Sequence, residues 1–412
     1  MNVQVPQRSV LPADFDAARF LAEVDAIRAE LDAGRGEADA RHLRQVEWVA
    51  AGASIAGWAL AFGGWWAVGA LGIALGRFVR WTCVAHHVLH RGYDAVPGLP
   101  PHRQSRGFAR GWRRLLDWPD WMFPAAWIRE HNQLHHYRLG ELADPDLVEE
   151  NARFLQPRWL PVPARLVLVM IVIAGWRWLY FAPTAIRAWQ ESEAGQLEPS
   201  PRPERTGPRM LLPWGRSAAV WTRSYLPFGA LAFVALPALG LLFGPDAALS
   251  GLLASLLGEL IANVHSYAVI VPNHAGDDLW RFDQRVRGRA ELLLRQIVGS
   301  VDFATGGFWR DLMHGYLNYQ IEHHVWPDLS MLQLAKSQPK LRALCAEMGI
   351  PYAQESVWRR NVRLMRLMLG VATMRRADRA LSVPESEAIA ADPSRPAAAS
   401  AAAPDRRAAA AG

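Results

Sequence analysis

Cysteine is nearly absent: Cys83 and Cys345 are the only two in 412 residues. That excludes both a disulfide framework and a four-thiolate iron–sulfur cluster built from this chain alone. Electrons for any redox chemistry must come from another protein. Charge is also scarce, at 20% of residues against 51% hydrophobic, with 19 Trp. Such a balance suits a chain that lies partly in lipid. Mean hydropathy is −0.01, so a large polar part offsets the membrane part. Net charge is +6 and the cations are almost all arginine, which fits anionic lipid headgroups. No DNA or RNA recognition motif accompanies the arginines, so no nucleic-acid partner is expected. Met1 to Arg8 is polar with no apolar stretch behind it, and no cleavable signal peptide is expected.

Residues 13–46 are charged, with Phe15, Phe20, Leu21 and Val24 at helical spacing. They predict a cytosolic amphipathic lead-in (1–46) resting on the membrane surface. From Val46 to Trp81 the chain is apolar, with Glu47 at its start and no further charge before Arg77. Gly63-Gly64 marks a turn, and Gly69, Gly72 and Gly76 would let two helices approach closely, so a hairpin of spans at about 47–63 and 65–82 is expected. A second pair, about 221–243 and 248–271, flanks Gly244-Pro-Asp246. Residues 191–208 read as a proline-rich linker, 47–378 as one membrane domain, and 379–412 as a disordered Ala/Pro-rich tail.

Histidines punctuate the polar stretches. His86 and His90 are four apart, His131 precedes His135 and His136, and Gln320 precedes His323 and His324. On a helix each set shares one face and can grip a metal. An isolated pair of this kind is more often structural; three groups in one membrane chain are hard to explain by packing. His274 follows the last span and joins them as a ligand candidate. His265, inside that span, is as well explained by helix-to-helix hydrogen bonding, and His314 by a surface position; His87, His42 and His102 are expected at the surface or in charged loops. Glu130, Asp144, Asp146, Asp277, Asp278 and Glu322 border the groups, some as partners of ligand N–H groups. Eight imidazoles and Gln320 exceed the needs of one ion, so two metals are implied.

If these groups form one site they face one compartment, which requires an even number of crossings between them. The apolar segment 164–190 carries Arg177 at its centre, a costly placement in lipid. It is expected in the interface, leaving four spans, both termini in the cytoplasm, and arginine-rich loops on the cytoplasmic side. The fold class expected is an all-α integral membrane protein with a cytosolic helical cap that carries the histidines. Imidazole does not select among iron, zinc, copper and nickel. An apolar chain offers only unactivated C–H bonds, which need metal-bound oxygen, so iron is favoured. A metal-binding or transporting membrane protein and a zinc-dependent lipid hydrolase are readings from other classes.

With these residues assembled, the chain resembles the membrane fatty acid desaturase family over roughly residues 50–345. His86 and His90 match its first histidine box, His131, His135 and His136 its second, and Gln320, His323 and His324 its third. The stretch Asn318-Tyr-Gln-Ile-Glu-His-His324 is most similar to front-end desaturases, and His274 resembles the extra ligand that members carry after the last span. The resemblance implies two irons, dioxygen as co-substrate, a lipid acyl substrate, no catalytic side chain beyond the ligands, and a cytoplasmic membrane. Two departures matter. The second box reads HxxxHH where front-end enzymes usually have HxxHH, and the longer form is similar to alkane monooxygenases and carotenoid hydroxylases, which leaves hydroxylation open. No His-Pro-Gly-Gly haem motif occurs, so the implied donor is a separate cytochrome b5 or ferredoxin with its reductase.

Overall fold

The computed structural model describes residues 10–12, 14–157, 159–196 and 213–377. Met1 to Arg8, most of the expected linker and the expected tail lie outside them. The described chain is helical, with one small parallel pairing of Trp280–Phe282 against Arg375–Ala377. Among the described residues four helices are long and apolar enough to cross a membrane: Trp66–Leu89, Val162–Glu193, Gly215–Phe243 and Pro245–His274.

The lead-in forms Ala17–Ala33, begun by Asp16, whose carboxylate accepts the Arg19 N–H, and ended at Gly34. Its buried Phe20, Val24 and Leu31 join the main core, and Arg28 binds Asp328 just past the third histidine group at 2.6 and 2.9 Å. The next helix, Glu37–Phe62, runs without a break from this polar layer into the apolar one. The chain reverses at Gly63-Gly64, where Gly64 takes φ 89°, and returns as Trp66–Leu89. The two helices touch backbone to backbone. A Cβ on Gly69 would stand 2.5 Å from the Gly57 carbonyl oxygen, and one on Gly57 would stand 2.6 Å from Ile73 N. Gly69→Val is therefore expected to lower stability by about 1–3 kcal/mol through overpacking, read as a fall in unfolding temperature in detergent; an unchanged transition would mean that the hairpin is not tightly closed.

Gly215–Phe243 and Pro245–His274 form a second hairpin, turned at Gly244 with φ 115°. Its Pro245–His274 arm packs against Trp66–Leu89, with Ala254 buried on Ala70 and Ile73. The segment expected in the interface is the long helix Val162–Glu193, bent at Gly175, which leaves helical geometry. Arg177 does not face lipid there. It is fully buried and ion-paired with Asp120 and, at 3.5 Å, with Glu259 of the second hairpin. Glu259 also receives Arg77 at 3.2 Å, Trp121 Nε1 at 2.5 Å, Trp178 Nε1 at 3.3 Å and Asn263 Nδ2 at 3.0 Å. Two arginines and two carboxylates thus neutralise one another where three apolar segments meet.

Candidate metal centre

His86 and His90 sit at the C-terminal end of Trp66–Leu89 and His274 at that of Pro245–His274, while the other two groups lie on short helices. Trp66–Leu89 loosens into a π turn at Arg80–Ala85 just before His86. The second group lies on a π-helix, Ile128–His135, in which the His136 N–H reaches back to the His131 carbonyl. A π turn holds one residue more than an α turn. That accounts for HxxxHH: the extra residue is absorbed by the wider turn, and His131 and His135 still stack on one face, ring centroids 5.2 Å apart. The sequence reading of an ordinary α-helix here missed this. The third group lies on the short helix Gln320–Val325, buried throughout.

The structure brings these residues together in two groups. His86, His90, His131 and His323 each place one ring nitrogen within 4.8 Å of the others, and His135, His274 and His324 do the same. His86 Nε2 and His323 Nε2 are 2.9 Å apart. His136 lies between the groups, its ring 4.5 Å from that of His90 and 4.1 Å from that of His324. Gln320 Nε2 lies 2.7 Å from His274 Nε2.

Metal fits this arrangement on two observations. His90 Nε2, His324 Nε2 and both nitrogens of His131 and His136 are buried with no hydrogen-bond partner among the described residues, an expensive state unless a cation takes their lone pairs. The second group is also held from behind as ligands are. His135 Nδ1 meets Asp144 at 2.9 Å, His324 Nδ1 meets Gln296 Oε1 at 2.7 Å and His274 Nδ1 meets the Gly299 carbonyl at 3.3 Å. Gln296 donates its own N–H to the His136 carbonyl at 2.9 Å, so its oxygen faces His324 and keeps the proton on Nδ1. Burial and the neighbouring imidazoles pull His131, His136, His323 and His324 well below the ordinary histidine range. They are neutral at pH 7, as ligands must be. Burial acts the same way on His135, but the Asp144 carboxylate outweighs it and the net shift is upward. Asp144→Ala is expected to weaken metal binding at this position about 10–100-fold, measured by chelator competition; equal resistance to the chelator would show that Asp144 does not support a ligand.

The remaining sequence candidates separate clearly. Asp146 comes within 4.8 Å of nitrogens of His131 and His135, and Glu130 is buried beside it, pushed up by burial and then by Asp146 and Asp144. Glu322 points away from the rings to Tyr352, whose hydroxyl also bonds Asp302; Asp302 in turn accepts the Ile321 N–H and fixes the third group. Asp277 and Asp278 pair with Arg363 and Arg360. His265 stacks on Phe78 and bonds the Met313 carbonyl, His314 bonds Arg310 O, and His42 bonds Tyr316. His87, expected at the surface, is fully buried against the Gly315 carbonyl. Gln296 and Asp302 are the supporting residues that sequence reasoning missed; neither sits in a motif.

A largely apolar cavity reaches the histidines. Trp81, Trp127, Trp176, Phe181, Ile270 and Met368 supply much of its apolar wall, and His86, His131, His135, His274 and Gln320 its polar end. The fold and the centre together fit one class: a helical membrane protein whose buried histidine clusters could hold metal beside an apolar cavity.

The sequence profile of the family described as Fatty acid desaturase matches residues 39–356, and the chain belongs to that family. A NADPH-dependent stearoyl-CoA 9-desaturase of Mycobacterium tuberculosis is 27% identical over 83% of this chain and 77% of its own length. An acyl-lipid (7-3)-desaturase of Diacronema lutheri is 24% identical over 83% of this chain and 71% of its own. A Delta(8)-fatty-acid desaturase of Helianthus annuus is 32% identical over 20% of this chain and 18% of its own. The protein is accordingly a fatty acid desaturase, an oxidoreductase of lipid metabolism that introduces a double bond into an acyl chain.

Proposed function

We propose that the desaturation runs at two irons, one held by His86, His90, His131 and His323 and the other by His135, His274 and His324, with His136 between them. The observation that carries this reading is the convergence of seven imidazoles in two groups, with His136 between them, beside an apolar cavity. Bound iron supplies, from dioxygen and two electrons, an oxidant able to take hydrogen from unactivated C–H bonds. The protein's own share is positional. Trp127 and Trp176 confine the chain beside the histidines and exclude water, and the hydrogen bonds of Asp144, Gln296 and Gly299 hold three rings with Nε2 inward.

The two hairpins supply four crossings in this account, and Val162–Glu193 lies in the interface. Support comes from its ends. Arg165 bonds the Leu369 carbonyl at 3.1 Å and Ile186 packs on Ala126, so both ends lie beside the histidine-bearing layer. Arginine-rich loops on that side make it the cytoplasmic face of a cytoplasmic membrane. Electrons come from a separate carrier, cytochrome b5 or ferredoxin, served by a reductase; the acyl carrier is a lipid or coenzyme A, the two kinds named among the relatives. Reconstitution tests the donor. The purified protein should turn over with NADPH only when carrier and reductase are added, and turnover with NADPH alone would refute a separate donor.

A further inference from the structure

A chain of hydrogen bonds determines which end of the Gln320 amide faces the second metal position. It begins at a backbone carbonyl: Asn273 Nδ2 donates to Leu317 O at 2.8 Å and, with its other hydrogen, to Gln320 Oε1 at 3.0 Å. A carbonyl only accepts, so the Asn273 amide cannot be turned round. Gln320 Oε1 is thereby held on Asn273, and Gln320 Nε2 faces His274 Nε2 at 2.7 Å. The far end is a second backbone carbonyl. Gly299 O lies 3.3 Å from His274 Nδ1, which puts the ring proton on Nδ1 and the lone pair on Nε2. Donor and acceptor alternate without conflict from Leu317 to Gly299, and Ser300 Oγ, 3.4 Å from the same His274 Nδ1, can accept from that ring N–H as well.

We infer that Gln320, although it occupies the first place of the third histidine group, is a hydrogen-bond donor toward the second metal and not its ligand, and that Asn273 sets this orientation. The inference rests on the two-metal reading. A ligand would have to present Oε1 to the metal, and that oxygen is turned toward the Asn273 N–H while Nε2 faces His274. Once metal takes the His274 lone pair, the Gln320 N–H is left without its acceptor. Gln320 lines the acyl cavity, so this N–H stands where cavity and metal meet, and it can donate to a water or other small oxygen ligand there. With Gln320 a donor, His135, His274 and His324 would be the residues that hold the second metal, and His86, His90, His131 and His323 those that hold the first.

Iron content and the visible spectrum of the cobalt-substituted protein test the assignment, with turnover as a third readout. Gln320→Leu and the isosteric Gln320→Glu both remove the N–H. Gln320→Leu should keep the full two-iron complement and the wild-type cobalt spectrum while turnover falls about tenfold, the scale of one hydrogen bond. Gln320→Glu should lose turnover equally, and serves if the leucine variant fails to fold. Asn273→Asp cannot donate to Leu317 or Gln320; the Gln320 amide should turn over, leaving iron content intact and turnover as low as in Gln320→Leu. Loss of one iron in Gln320→Leu, with retention in Gln320→Glu and wild-type turnover there, would make Gln320 an oxygen ligand and overturn the inference. Wild-type protein that binds no iron would instead refute the two-metal reading beneath it.

Discussion

His323→Ala is expected to leave no detectable desaturated product and to empty the four-histidine position. The reason is crowding of function on one ring. His323 faces His86 Nε2 at 2.9 Å, and its ring centroid lies 4.6 Å from that of His90 and 4.9 Å from that of His136. It therefore links the first group to the ring that sits between the two. Alanine leaves three nitrogens around one metal and opens a buried polar hole beside the other. Added imidazole, small enough to enter that hole, should restore some iron. Iron analysis and fatty-acid profiling measure the effect; a variant that retains both irons and turns over would show that His323 is not a ligand.

Glu259→Ala should destabilise the protein by about 3–5 kcal/mol, the scale for stripping one partner from a buried ion pair. The carboxylate holds Arg77 and Arg177 together, and both arginines lie inside helices of membrane-spanning length. Its removal leaves two guanidinium groups and the Nε1 groups of Trp121 and Trp178 with one fewer acceptor, and only Asp120 remains to balance the charge. The long helix Val162–Glu193 would lose its ion pair to the second hairpin and keep the hydrogen bonds of Trp176 Nε1 to Asn263 O and of Tyr225 to the Trp178 carbonyl. Thermal unfolding in detergent measures the loss. A change below about 1 kcal/mol would place the network among weak, solvated pairs.

What the sequence made legible is what chemistry forces. A metal needs imidazoles at helical spacing, so the three groups and His274 stood out. Close helix contact needs glycine, so the turn at Gly63-Gly64 and the packing face of Gly69 and Gly72 were readable. The role of Arg177 was harder to read. Its partner Glu259 lies 82 residues away in another apolar run, and a lone arginine in such a run reads as a reason to leave the membrane. The signal was present nonetheless, as Arg77, Arg177 and Glu259 are opposite charges in three apolar segments. Gln296 gave no signal, because an amide inside the amphipathic helix Arg289–Val298 looks like any other. The π turn under His131–His135 was hidden because residue spacing assumes a helix type before it is known.

Desaturation itself is tested most directly by mass spectrometry of acyl chains from a host of known lipid content expressing this protein. The expected product is an acyl chain lacking two hydrogens relative to its substrate, formed only with iron and dioxygen and absent with His323→Ala. An acyl chain that instead gains one oxygen atom, made by the same iron-loaded protein, would contradict desaturation and make the centre a hydroxylase.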